Sequence, residues 1–209
     1  ALTEGILDSA AQCYGIEVEP VQTDAVQGLA VKLDIAASCF QRLKSQRRSL
    51  AGNTGCGLCG VESLAALGPS LQVMPPQPWL AGLTVETLLR ASRALPDHQP
   101  LNRACGALHA AAWVSPEGEL LAVMEDVGRH NALDKLLGQR ARDSRLQEPG
   151  FVFMTSRASH ELIRKCVRMG VGAMAAISAP TDFAVDIAAR SGLQLWGLVR
   201  GQRAVRYTR

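Results

Sequence analysis

Phe151-Val152-Phe153-Met154, Ala173-Met174-Ala175-Ala176-Ile177 and Leu193-Gln194-Leu195-Trp196-Gly197-Leu198-Val199 are apolar runs of strand length, separated by helical patterns over 159–169 and 181–189. Strands that alternate with helices need crossover connections, so these runs are expected to pair in parallel with helices on both faces of one sheet. The expected fold class is therefore α/β with a mixed, mostly parallel sheet. Upstream, residues 110–114 and 120–124 are apolar and joined by Ser115-Pro116-Glu117-Gly118-Glu119, a turn composition that predicts a hairpin. A helix is expected over 129–137, stopped by Gly138, and another runs from its N-cap Thr84 through Leu95 to a stop at Pro96.

Pro75-Pro76-Gln77-Pro78 divides the chain, because consecutive prolines fix φ and continue neither a helix nor an interior strand. Residues 1–75 are read as a smaller part and 76–209 as the α/β domain. In the smaller part, Leu29, Val31, Leu33 and Ile35 alternate as in a strand, and Arg42, Lys44, Arg47 and Arg48 form a basic run. Leu2-Thr3-Glu4-Gly5-Ile6-Leu7 reads like an element already under way, so a further segment is expected upstream.

The 209 residues carry 22 basic and 19 acidic side chains, a formal charge of +3. That is too weak for a general attraction to nucleic acid or to a membrane surface, and neither is expected as a partner. No apolar run approaches the roughly 18 residues of a membrane span, and no charged start followed by an apolar stretch marks a signal peptide. A cytoplasmic location is expected. Six cysteines, Cys13, Cys39, Cys56, Cys59, Cys105 and Cys166, are too sparse for a disulfide framework, so reduced thiols are the default.

The basic run leads into Thr54-Gly55-Cys56-Gly57-Leu58-Cys59-Gly60. Two thiols three residues apart among glycines can bind a metal, cycle through a disulfide, or carry a sulfur atom on one thiol while the other resolves it. A structural zinc site needs four ligands, usually from a second similar pair, and the sequence has none. Zinc deaminase chemistry needs His-x-Glu with Pro-Cys-x-x-Cys; no histidine has glutamate two residues on, and Gly55 precedes Cys56. Sulfur carriage and dithiol redox chemistry both stay open, as does a binding module that moves no sulfur.

In open parallel sheets, ligands bind beyond the carboxyl ends of the strands. The polar residues collect there: Glu125-Asp126-Val127-Gly128-Arg129-His130, Thr155-Ser156-Arg157-Ala158-Ser159-His160-Glu161, Ser178-Ala179-Pro180-Thr181, and Arg200-Gly201-Gln202-Arg203. A first hairpin strand antiparallel to the rest would add His109. Helix N-termini and arginines favour anions, which points to a phosphorylated or nucleotide-like ligand. Asp126, His130 and Asp134 stand four residues apart, as a proton relay or as a capping and salt-bridge network. Arg157 and Glu161 share that spacing and read as an ion pair, and Ser156 and Ser159 read as helix caps.

The Cys56-to-Gly60 motif, the string 125–135, Thr155-Ser156-Arg157-Ala158-Ser159 with Glu161, Ser178-Ala179-Pro180-Thr181 and the terminal 200–207 stretch together resemble the formate dehydrogenase accessory sulfurtransferases, the FdhD/NarQ family. The resemblance spans nearly the whole chain and implies a cytidine-deaminase-like three-layer α/β/α sandwich. It implies a sulfurtransferase that takes sulfur from a cysteine desulfurase. The acceptor it implies is the molybdenum or tungsten centre of bis(molybdopterin guanine dinucleotide), for the formate dehydrogenase apoenzyme, with GDP as a partial mimic of the cofactor. Cys56 is then the persulfide bearer and Cys59 its partner. The family's cofactor-binding segment carries onto Leu198, Val199, Arg200, Gly201, Gln202 and Arg203. Together with His109, Arg129, His130, Ser156, Arg157 and Thr181 these make the expected cofactor site, and a homodimer is implied. Cys105 stands where the family commonly has threonine and is read as a packing substitute.

Overall fold

The computed structural model describes residues 1–22, 27–46 and 73–208, and the chain divides into two units, 1–52 and 53–209. In the first unit, strands β1 (Cys13–Gln22) and β2 (Gln27–Ile35) pair antiparallel, and helix α1 (Ala37–Gln46) follows. Ile6, Leu7 and Cys39 are buried together, with Cys13, Ile35 and Leu43 against them, so a small core closes one end of the ribbon. The expected strand at 29–35 is present within β2. Its partner β1 was not anticipated.

The second unit contains helices α2 (Val85–Ala94) and α3 (Pro100–Cys105), then the hairpin β3 (His109–Val114) and β4 (Leu120–Asp126). Helix α4 (Arg129–Arg142), strand β5 (Phe151–Met154), helix α5 (His160–Arg168), strand β6 (Ala173–Ala176) and helix α6 (Asp182–Ser191) follow. Strands β7 (Gln194–Arg200) and β8 (Arg203–Arg206) end the chain, and the six strands lie in the order β4-β3-β5-β6-β7-β8. The proline segment lies in this unit: the Met74 N–H donates to the Ser191 carbonyl at 3.0 Å, and Gln77 Nε2 donates to the Gly170 carbonyl at 3.0 Å.

The three apolar runs are β5, β6 and β7, and they are parallel as expected. The sheet as a whole is mixed, as expected, but its antiparallel pairings outnumber the parallel ones. β3 pairs antiparallel with both β4 and β5, and β8 pairs antiparallel with β7. Hairpins need only short turns, so a strand added through one at either side runs against its neighbour.

Both sheet faces are covered, which explains why the strands read as continuous apolar runs. Ala111, Trp113, Val152, Met154, Met174, Ala176 and Leu195 pack with Leu133 and Leu137 of α4, Leu162 and Ile163 of α5, and Ile187 of α6. Ala110, Ala112, Phe151, Phe153, Ala173, Ala175 and Trp196 face the other way, onto Leu88 and Leu89 of α2. Fully burying each large side chain contributes about 1.5–3 kcal/mol. Helices thus flank the sheet on both sides.

Helix α4 does not stop at Gly138. Arg140, two residues on, is 2 % exposed, lies 4.6 Å over the Trp113 ring, and donates to the Arg145 carbonyl and the Glu148 carboxylate at 2.6 and 2.9 Å. Those contacts outweigh the ~1 kcal/mol that glycine costs inside a helix. Thr84 caps α2 as expected, its hydroxyl accepting from the Thr87 N–H at 3.3 Å.

Candidate functional site

The carboxyl ends of β4, β5, β6 and β7 and the start of β3 form one edge of the sheet. The antiparallel pairing of β3 brings His109 there, opposite Asp126, and its neighbour Ala110 exchanges hydrogen bonds with Thr155. The loops along the edge are joined to one another. The Ile177 N–H donates to the Met154 carbonyl at 3.0 Å, Thr181 N–H to Ala158 at 3.0 Å, and Leu198 N–H to Ser178 at 3.2 Å.

The closest approach is at Gly197. A Cβ there would lie 2.9 Å from Pro180 Cδ, 3.0 Å from Tyr207 Cε2 and 3.1 Å from the Ser178 carbonyl oxygen, so only glycine lets β7 lie against this loop. The next residue, Leu198, has φ 55°, a left-handed conformation unusual for a branched side chain, at an irregularity in the β7–β8 pairing. Strained, irregular strand backbone of this kind clusters at binding sites.

The expected cofactor segment divides in the structure. Arg200 and Arg203 are exposed and paired across the turn through Gly201 and Gln202, whereas Val199 is fully buried against the α2 side of the sheet. Leu198 is half-buried. Thr181 caps α6, its hydroxyl accepting from the Ala184 N–H at 3.3 Å. Ser156 is buried and donates to the Arg157 carbonyl at 3.0 Å, and Arg157 is exposed.

Electrostatics tie the N-termini of α4 and α5 together. His130 Nε2 lies 2.8 Å from Glu161 Oε2, and this contact, against the opposing effect of burial, holds the Glu161 carboxyl below the usual carboxylate range. Burial and then the charge of Arg129 lower the pKa of His109. His160 is also lowered by burial and stacks at 5.0 Å on Phe183. Burial opposes the ionisation of Asp126, but hydrogen bonds from Lys135, the Gly128 N–H and Asn131 outweigh it and keep the carboxyl low.

These contacts decide between two open readings and correct two expectations. Asp126, His130 and Asp134 belong to a network of local hydrogen bonds and salt bridges rather than to a relay: Asp126 ends β4 and binds Gly128, Asn131 and Lys135, His130 meets Glu161, and Asp134 binds Lys165 through both oxygens at 2.8 and 2.7 Å. Glu161 pairs with His130 rather than Arg157, because Arg157 precedes α5 and helical spacing does not apply to it. Ser159 holds the N-cap position of α5 without capping, and its buried hydroxyl has no partner among the described residues.

Ser159 and His160, read from sequence only as part of the polar stretch 155–161, are both buried at the start of α5. Cys56 and Cys59, with Arg47 and Arg48, lie outside the described residues. Cys105 is exposed at the end of α3, which does not fit a packing role.

Comparison with known proteins agrees with the motifs. The profile of the FdhD/NarQ family matches residues 1–209. The sulfur carrier protein FdhD of Variovorax paradoxus (strain S110) is 49% identical over 208 residues, covering all of this chain and 72% of that protein. The sulfur carrier protein FdhD of Chromobacterium violaceum is 47% identical over 208 residues, covering all of this chain and 76% of that protein. A crystal structure of a formate dehydrogenase accessory protein from Desulfotalea psychrophila superposes with a TM-score of 0.63 at 19% identity, over all of this chain and 72% of that one, and so shares the fold. The chain belongs to the FdhD/NarQ family.

Proposed function

We propose that this protein is a sulfur carrier that serves formate dehydrogenase, receiving persulfide sulfur from a cysteine desulfurase on Cys56 and presenting it to a molybdenum or tungsten bis-guanine-dinucleotide cofactor as its substrate. Relatives 47–49% identical across this chain, over 72–76% of their own length, are named sulfur carrier proteins and support the carrier role. The observation that carries the cofactor half is the convergence of five segments on one sheet edge. Neighbouring strands lie about 4.8 Å apart, so the row from His109 on β3 to Arg200 on β7 spans about 14 Å, a length suited to an extended dinucleotide. Exposed Arg200 and Arg203 beside the Gly197 approach offer bidentate contacts for phosphate. A cytidine-deaminase-like relationship belongs to the same proposal and is supported by helices on both faces of the sheet. The protein works as a homodimer in the cytoplasm in this reading.

In the loading step the Cys56 thiolate attacks the outer sulfur of the desulfurase persulfide. A new S–S bond forms on Cys56, and the desulfurase cysteine leaves as a thiolate. In delivery, the Cys59 thiolate attacks the Cys56 sulfur, expelling the outer sulfur as sulfide to the cofactor metal and leaving a Cys56–Cys59 disulfide that a dithiol reductant resets. The test is a separation of functions. Cys56→Ala should bind GDP as the natural chain does and support no formate dehydrogenase activity; activity with that variant would refute sulfur carriage, and absence of GDP binding in the natural chain would refute the cofactor site.

A further inference from the structure

The start of α5 is buried and has no side-chain cap. Ser159 and His160 are each 4 % exposed, so the helix begins inside the protein rather than in water. The first N–H groups of a helix find no acceptor within it, and the N-cap side chain ordinarily supplies one. Ser159 has the extended N-cap backbone, φ −93° and ψ 159°, that sets a hydroxyl beside those N–H groups, yet it makes no cap bond. Its buried hydroxyl has no partner of any kind among the described residues. The neighbouring hydroxyls are engaged: Thr155 with the Ala110 N–H at 2.8 Å, Ser156 with the Arg157 carbonyl at 3.0 Å, and Thr181 with the Ala184 N–H at 3.3 Å.

A hydroxyl left unmet in such a place lowers stability, because it has given up water without gaining a partner. Nor is Ser159 loosely held. The Ala158 carbonyl accepts from the Thr181 N–H at 3.0 Å, and the Ser159 carbonyl accepts from the Ile163 N–H at 3.2 Å. The start of α4 adjoins that of α5: His130 Nε2 lies 2.8 Å from Glu161 Oε2, a contact that also engages the one carboxylate in the first turn of α5. The first turn of α4 has no acidic residue, and its N-cap, Gly128, has no side chain to offer. Two helix N-termini without side-chain caps therefore stand together, each carrying a partial positive charge.

We propose that Ser159 and the adjoining starts of α5 and α4 form an oxyanion seat that takes a phosphate group. A phosphate oxygen accepts hydrogen bonds from the Ser159 hydroxyl and from first-turn N–H groups, meeting donors that no side chain caps. The seat lies beyond β5, two strands from Arg200 on β7, and so adds a second anion contact to the same sheet edge. Assigning the phosphate to the nucleotide of the cofactor rests on the reading above, whereas the seat itself does not.

Calorimetric titration of the whole chain with GDP and with inorganic phosphate, alongside melting of the ligand-free protein, tests the seat. Ser159→Ala should weaken GDP binding roughly tenfold or more, through loss of a hydrogen bond to a charged group. It should melt no lower than the natural chain, since the hydroxyl it removes has no partner there. A variant that binds GDP as the natural chain does would overturn the seat. So would one that melts lower or fails to fold, because the hydroxyl would then be structural. A natural chain that ignores GDP but binds inorganic phosphate, with that binding lost in Ser159→Ala, would support the seat and refute the cofactor reading. Binding of neither would refute both.

Discussion

Replacing Gly197 with alanine probes how rigidly the candidate cofactor segment is held. The added methyl would lie 2.9 Å from Pro180 Cδ, 3.0 Å from Tyr207 Cε2 and 3.1 Å from the Ser178 carbonyl oxygen. None of these is the free end of a flexible chain. Proline and the backbone cannot swing aside, and the Tyr207 ring belongs to a segment whose N–H is bound to the Leu195 carbonyl at 2.8 Å. β7 must therefore move from the 178–181 loop, weakening the Leu198–Ser178 hydrogen bond of 3.2 Å. Overpacking of this kind costs about 1–3 kcal/mol. For a unit of this size each kcal/mol lowers Tm by about 2–4 °C, so a loss of about 2 kcal/mol corresponds to ~4–8 °C. Because Leu198 and Arg200 shift with β7, GDP affinity measured by calorimetry should fall as well. A Gly197→Ala protein that melts within about 1 °C of the natural one and binds GDP equally would refute the claim that this approach sets the site.

Three further outcomes follow from the same edge. Glu161 has a lowered pKa, so its contact with His130 adds stability above the ordinary carboxyl pKa, and that stability is lost as pH falls through the folded value. Urea unfolding should find Glu161→Gln about 1–3 kcal/mol less stable at pH 7, the gap closing in acid; a gap independent of pH would exclude the contact. His109 is lowered by burial and Arg129, so the unfolded chain takes up its proton first and stability falls as pH drops below about 6.5. His109→Gln should remove that loss, and an unchanged pH profile would show that His109 is not buried beside a cation. Arg203→Ala should weaken GDP binding by about 1.5–3 kcal/mol if Arg203 holds phosphate through a charged hydrogen bond, and unchanged affinity would remove it from the site.

The central strands were legible because β5, β6 and β7 are buried on both faces and so read as unbroken apolar runs. β8 was not, since Arg203-Ala204-Val205-Arg206 is an exposed edge with no apolar signal, and its reversal adds a further antiparallel pairing to those of β3. Gly138 misled because the anchor holding α4 beyond it, Arg140 on Trp113, joins residues far apart in sequence. Within the site, helix starts and strand ends placed His109, His130 and Thr181 at one edge as expected. Four-residue spacing failed for Asp126 and Arg157, which stand outside the helices whose periodicity it assumes. The hydroxyl of Ser159, unmet among the described residues, and the left-handed Leu198 are three-dimensional facts with no mark in the sequence.

The central claim is that Cys56 bears sulfur, and intact mass of the purified protein after incubation with cysteine and a cysteine desulfurase tests it most directly. The account predicts a gain of one sulfur atom that reductant removes and that Cys56→Ala lacks. No gain, with a Cys56–Cys59 disulfide in its place, would contradict it and leave a dithiol redox protein or a cofactor-binding chaperone.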